Sequence, residues 1–177
     1  VGRWTVELGN MWYNVLAFEP IPRVHNKLKK NIELSWITDK VHTFNVALGN
    51  EEKEETMHVF KFHEWASYLD NVLQSYSLDL AENIQVSVRP FDDMSEIRPE
   101  VKQRVGTILM DVEWYELFAL QGMNKFLRQS DWLDLFIEIS PKSIYKQKLL
   151  EFLNGHGFIG QQIDDKDNRY FKKTKHE

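Results

Sequence analysis

Short apolar runs alternate along this chain with stretches whose apolar residues recur every three or four positions. The runs read as buried strands and the stretches as amphipathic helices. Trp4, Leu8, Met11 and Trp12 share one helical face, so residues 3–12 are expected to form a helix. "NVLAF" (14–18) reads as a short buried strand. Pro22 then stands at the favoured first position of a helix, with Val24, Leu28 and Ile32 as its stripe. "VHTFNVAL" (41–48) is the next expected strand, ended by Gly49 and Asn50. An acidic turn leads into a strand near 56–62, and "NIQVSVRPF" (83–91) holds another. "SEIRPEVKQR" reads as a short helix interrupted by Pro99. "TILMDVE" (107–113) is expected to be a central buried strand, followed by a helix over roughly 115–128 and a strand at 133–140. In "SIYKQKLLEFLN" the residues Tyr145, Leu149 and Leu153 are in helical phase, and "GHG" ends that helix. "FIGQQID" and "RYFKK" close the chain as a hairpin around "DDKDN".

This alternation predicts an α/β domain with a mostly parallel, doubly wound sheet, carrying a β-rich insertion at about 51–95. The length, 177 residues, fits a single domain. A doubly wound domain ordinarily begins with a strand, and this chain begins with a helix. "WTVEL" does alternate as a strand would, but too few residues link Gly9 to the strand at 14–18. A parallel crossover needs about a dozen. The expectation is therefore that the first strand lies upstream of Val1. Without it two sheet edges are exposed, which invites pairing with another chain, a second copy included.

Composition narrows the classes. With 42% hydrophobic and 28% charged residues the chain is ordinary for a folded domain. A net charge of −5 argues against a general nucleic-acid grip. The absence of cysteine excludes disulfides and thiolate chemistry, and suits a cytoplasmic location. No apolar run approaches membrane-spanning length, so no membrane partner is expected.

The first candidate for chemistry is Glu19, directly after the strand at 14–18. Ligands of doubly wound sheets bind at the carboxyl ends of strands, and a carboxylate there can accept both ribose hydroxyls of a nucleotide. Equally, Glu19 could cap the helix that follows Pro20, or stand in solvent. The wider pattern adds to this. "VLAFEPIPRVHNKLKKNIEL" (15–34), "VALGN" (46–50), "VSVRPFDDM" (86–94), "ILMDVEWYELFALQGM" (108–123) and "LFIEIS" (135–140) occur in order. Together with "GRWTVEL" (2–8), they resemble the FkbM-type methyltransferases that depend on S-adenosylmethionine.

The resemblance implies a class I methyltransferase fold, Rossmann-like, with a seven-stranded sheet whose last strands form an antiparallel hairpin. It implies S-adenosylmethionine as cofactor and transfer of a methyl group to an oxygen, often a hydroxyl on a sugar or polyketide-like small molecule. On this reading Gly2 is the last glycine of the family's glycine-rich loop. Glu19 and Pro20 follow the second strand, and Val46 and Ala47 lie along the adenine. Asp111 and Glu113 end the fourth strand, where strand alternation puts both on one face. One of them would orient the sulfonium or the acceptor hydroxyl, although Glu113 could instead cap the next helix. Magnesium or calcium would accept such oxygen ligands. No further ligand is assignable, so no metal site is predicted.

Trp114 departs from the family, which has glycine after this Glu. It could reshape the acceptor pocket, offer a stacking face, mark a lost activity, or simply pack on the next helix. Asp92 and Asp93 could approach the acceptor or cap a helix near Ser95. The six histidines lack metal-ligand spacing. His58 and His63 fall in the insertion, where surface positions are expected rather than a general base. Trp4, Trp12 and Trp132 read as packing residues, and Trp36 and Trp65 as neighbours of an insertion-formed lid. The alternative function is a methyltransferase-fold binding module that no longer catalyses. A nicotinamide-dependent enzyme would also suit Glu19, but the "DVE…EL…L-x-G" block argues against it.

Overall fold

The computed structural model describes residues 1–60, 63–69, 81–164 and 167–174. The chain opens with α1 (Arg3–Asn10), β1 (Val15–Phe18), α2 (Pro22–Leu34), β2 (Val41–Phe44) and β3 (Ala47–Leu48). Then come β4 (Lys53–Phe60), β5 (His63–Leu69) and β6 (Ala81–Arg89), in the stretch expected to be a β-rich insertion. After a 3-10 turn at Phe91–Asp93 come α3 (Pro99–Lys102), β7 (Thr107–Met110), α4 (Glu116–Gln121) and α5 (Asn124–Gln129). The chain closes with β8 (Leu133–Glu138), α6 (Lys146–Gly155), β9 (Phe158–Gln162) and β10 (Asn168–Lys173). No helix among the described residues is long and apolar enough to cross a membrane.

α2 forms as its sequence suggests. Pro22 sits at the helix start, where the missing N–H costs nothing, and Val24, Leu28 and Ile32 are all buried. α1 differs from expectation in its inward face. Val6 packs on an apolar cluster of Ala17, Leu28, Ile32, Ile37 and Val41, and Gly9 is buried against Ile37 and Val41, while Trp4, Met11 and Trp12 are exposed. The approach of α1 to β2 is close enough that only a small residue fits at position 9. The indole rings are left outside, Trp12 beneath the ammonium of Lys40. Trp132 is also half exposed, its ring lying over Gly106.

The expected strand 41–48 is two strands. β2 pairs in parallel with β1, and β3 pairs in parallel with β6. Between them, the Asn45 side-chain amide donates to the carbonyls of Glu19 (2.8 Å) and Pro20 (2.9 Å), turning the chain from one sheet into the next. Pro99 opens α3 rather than interrupting a helix. The expected helix 115–128 breaks at Gly122. There Asp92 accepts the N–H groups of Lys125 (2.7 Å) and Phe126 (3.0 Å), starting α5 afresh.

Three sheets result among the described residues: β1-β2, β7-β8-β10-β9 and β3-β6-β4-β5. Among the described residues three strand pairings are parallel and four antiparallel; two of the antiparallel ones join β4 to β5 and β6, and two are made by β10 of the C-terminal hairpin. Among the described residues the strands do not join into one continuous seven-stranded sheet. The expected antiparallel hairpin is present as β9 and β10, with β10 inserted between β8 and β9. The edge of β1 away from β2 and that of β7 away from β8 carry no strand among the described residues. Residues 165–166 of the "DDKDN" segment and residues 175–177 lie outside the described residues.

The main core joins Ile108 and Met110 of β7 and Leu133, Leu135 and Ile137 of β8 to Leu117, Leu120, Leu127, Leu149 and Leu153 of α4–α6. The opposite face of these strands exposes Leu109 and Phe136. β7 is therefore half-buried, not buried on both sides as expected: Ile108 and Met110 are buried while Thr107 and Leu109 are exposed. A second apolar cluster unites Ile21, Val24, Ala47, Val86, Val88 and Tyr115. It gathers residues that follow β1 and β7 around β3, so the carboxyl ends of these strands share one neighbourhood.

Candidate active site

β7 ends at Met110, short of the expected 113. Asp111 and Glu113 therefore lie in the turn after the strand, and strand alternation does not set their directions. Glu113 (φ 46°) and Trp114 (φ 73°) are both left-handed. For residues with a Cβ this costs about 1–2 kcal/mol each. The turn is held by Tyr115 N–H donating to the Val112 carbonyl (3.2 Å) and Trp114 N–H donating to Glu116 Oε1 (3.0 Å). Trp114 itself packs against the second apolar cluster, and it takes the kind of angle that a glycine adopts without strain. Tyr115 is buried beside it, and its hydroxyl donates to Glu55 of β4 (3.3 Å).

The carboxyls of this turn resist ionisation. Burial first, then the charges of Asp111 and Glu138, push Glu113 up to about 7. Glu116 is only 4% exposed. Burial pushes it up to about 7 against the favourable N–H groups of Glu116 and Trp114, and the charges of Asp111 and Glu113 add to the rise. Asp111 reaches solvent, yet the surrounding protein removes enough water to hold its carboxyl above the usual range. Three acids thus meet at the carboxyl end of a parallel strand, with Glu138 at the end of the neighbouring one. Such a set can accept hydrogen bonds from hydroxyls, favour a cationic ligand, and exchange a proton near neutral pH.

Glu19 lies directly after β1. Its Oε1 accepts the Ile21 N–H (2.9 Å), so the carboxylate does bind the entry to α2. Pro20 follows, its carbonyl fixed by Asn45. Gly2 is the N-terminal cap of α1, with φ 69°, and a Cβ there would overlap Leu28 Cδ1. Both angle and contact call for glycine at this position. Val46 is buried in the main core, and Ala47 in the second cluster beside Tyr115 and Ile21.

Asp92 caps α5, a different helix from the one anticipated near Ser95, while Asp93 stays at the surface 3.9 Å from Lys125 Nζ. His58 is buried, not on the surface, and its Nδ1 pairs with Asn83 Oδ1 (2.8 Å) across β4 and β6. The side chains of His63 and Trp65 lie outside the described residues. Trp36, expected near a lid, is 90% exposed after α2, where the chain returns to the amino end of β2. That is the opposite end of the strands from Glu19.

Sequence reasoning did not single out Glu116, Tyr115 or Gly122. Glu116 reads in sequence as an ordinary acid at a helix start; only the turn angles give its carboxylate a separate task. Gly122 ends α4 against the backbone of Gly49, where a Cβ would overlap the Gly49 carbonyl oxygen. The "L-x-G" spacing was its signal.

Fold and turn together define a mixed α/β protein whose acidic residues gather at the carboxyl ends of parallel strands, the end at which such sheets bind ligands. Residues 3–170 match the family described as the methyltransferase FkbM domain. The chain belongs to that family. Its fold is similar to the crystal structure of methyltransferase FkbM from Methylobacillus flagellatus KT, with a TM-score of 0.56 and 16% identity. The match covers 90% of this chain and 36% of that one, so the chain spans well under half of that protein's length. No curated protein matches the chain.

Proposed function

We propose that the chain is the S-adenosylmethionine-dependent methyl-transfer domain of its protein. Its product is an O-methylated hydroxyl on a sugar or natural-product-like small molecule. The observation that carries this reading is the acidic turn after β7, in a chain of the FkbM family. When bound, S-adenosylmethionine supplies a methyl group on a positively charged sulfur.

The residues present fit such a ligand through the chemistry of their donors and acceptors. Glu19 is oriented by the Ile21 N–H, and a carboxylate has about four acceptor sites, so it can still receive ribose hydroxyls. Gly2 and Pro20 shape the approach of the backbone on either side. Val46 and Ala47 supply small apolar contacts for the adenine. Asp111 favours the cationic sulfur by charge. Glu113, held at about 7, is matched to accept the proton of the acceptor hydroxyl as a general base. In-line placement of that hydroxyl is the remaining requirement.

Calorimetric titration of the protein with S-adenosylhomocysteine tests the reading. Micromolar binding is expected, weakened about tenfold or more in Glu19→Ala, which corresponds to about 1.4 kcal/mol. Absence of binding would remove the activity and leave a non-catalysing binding module on a methyltransferase fold.

A further inference from the structure

Two left-handed residues in succession, neither of them glycine, keep their shape only when their surroundings over-determine it. The turn at Glu113–Trp114 is clamped from both sides. Tyr115 is buried in the second apolar cluster and its hydroxyl reaches Glu55. From the other side, Glu116 Oε1 accepts the Trp114 N–H at 3.0 Å. Glu116 is among the few charged side chains buried in the described residues, and its contact is with the backbone of the turn that carries Asp111 and Glu113.

We infer that Glu116 is a positioning residue: by accepting the Trp114 N–H it holds the left-handed turn that aims the Asp111 and Glu113 carboxylates at a cationic ligand. This rests on the methyl-transfer reading above. The role requires an oxygen acceptor at Oε1 and not a negative charge. Glutamine supplies that oxygen and alanine does not. The role also weakens if residue 114 can take its angle unaided, as glycine does.

Affinities for S-adenosylmethionine, whose sulfur is cationic, and S-adenosylhomocysteine, whose sulfur is neutral, are measured by calorimetry. The proteins are the wild type, Glu116→Ala, Glu116→Gln and Glu116→Ala combined with Trp114→Gly. Glu116→Ala should lose about tenfold in affinity for the cationic ligand, and less than about threefold for the neutral one. Glu116→Gln should retain most of the wild-type ratio, and Trp114→Gly should restore it in the alanine background. An equal loss for both ligands would reduce Glu116 to a role in stability and overturn the inference. So would a Gln variant as impaired as the Ala variant, because charge would then be what matters. Should Glu116→Ala not fold, the double variant carries the comparison, and a lost ratio there overturns the inference. A wild type that binds neither ligand removes the methyl-transfer reading and this inference with it. A wild type that binds both, with the ratio unmoved in Glu116→Ala, removes the inference alone.

Discussion

Gly122→Ala adds one methyl group where α4 ends, and the structure leaves it no room. The new Cβ would overlap the Gly49 carbonyl oxygen, lie 2.8 Å from the Gly49 carbonyl carbon and stand 3.2 Å from Pro90 Cα. All three neighbours are backbone atoms, so no side-chain rotation relieves the overlap. The segment that would have to move is also tied down, since Asp92 N–H donates to the Gly122 carbonyl (3.0 Å) and Gly49 N–H to the Arg89 carbonyl (3.1 Å). Overpacking of this kind costs about 1–3 kcal/mol, with backbone displacement at the upper end. Alanine's conformational advantage over glycine, about 0.5–1 kcal/mol, does not offset it. For a chain of this size each kcal/mol moves the midpoint by about 2–4 °C. With a net loss of about 2 kcal/mol, the fall expected in thermal unfolding followed by circular dichroism is about 4–8 °C. Gly155→Ala is the matched control, because nothing lies within 4 Å of a Cβ at that helical position. It should raise the midpoint by about 1–4 °C. A Gly122→Ala protein as stable as the wild type, or more so, would refute the packing argument.

Glu116 makes stability depend on pH. Its folded pKa is raised from 4.5 to about 7, so its contribution is fully present below about pH 4.5 and is lost as pH rises through 7. Relative to Glu116→Gln, the wild type should lose roughly 3 kcal/mol between pH 4.5 and pH 8, read by urea unfolding at both values. A difference between the two proteins that does not change with pH would contradict the buried-acid reading. Asp92→Ala removes the acceptor for two N–H groups at the start of α5. A destabilisation of about 1–2 kcal/mol is expected in the same assay, with Asp92→Asn recovering much of it.

The legible parts of this protein were those governed by short-range rules. The α2 stripe and its Pro22 start follow from helical period and from proline's missing donor, and both stand in the structure. Gly2 takes a left-handed angle, which glycine adopts without strain. Family membership was legible for the same reason: the residues around each strand end are read in order along the chain. What the sequence left open depends on partners distant in the chain. Asn45 redirects β3 into another sheet by bonding carbonyls about 25 residues away, and Asp92 begins α5 from 33 residues away. The inward face of α1 departs from its apolar stripe because the tightness of its approach to Ile37, not hydrophobicity, decides which residues turn inward.

By itself, then, the sequence determined the class of elements, their order, the family and the candidate carboxylates at positions 19, 111 and 113. Tertiary structure decided that β7 stops before Asp111, that Glu113 and Trp114 turn left-handed, and that a third acid, Glu116, is buried behind them. The reason is physical. Periodicity reports which residues prefer to leave water, whereas burial of a charge and a strained backbone angle exist only once separate segments close around them.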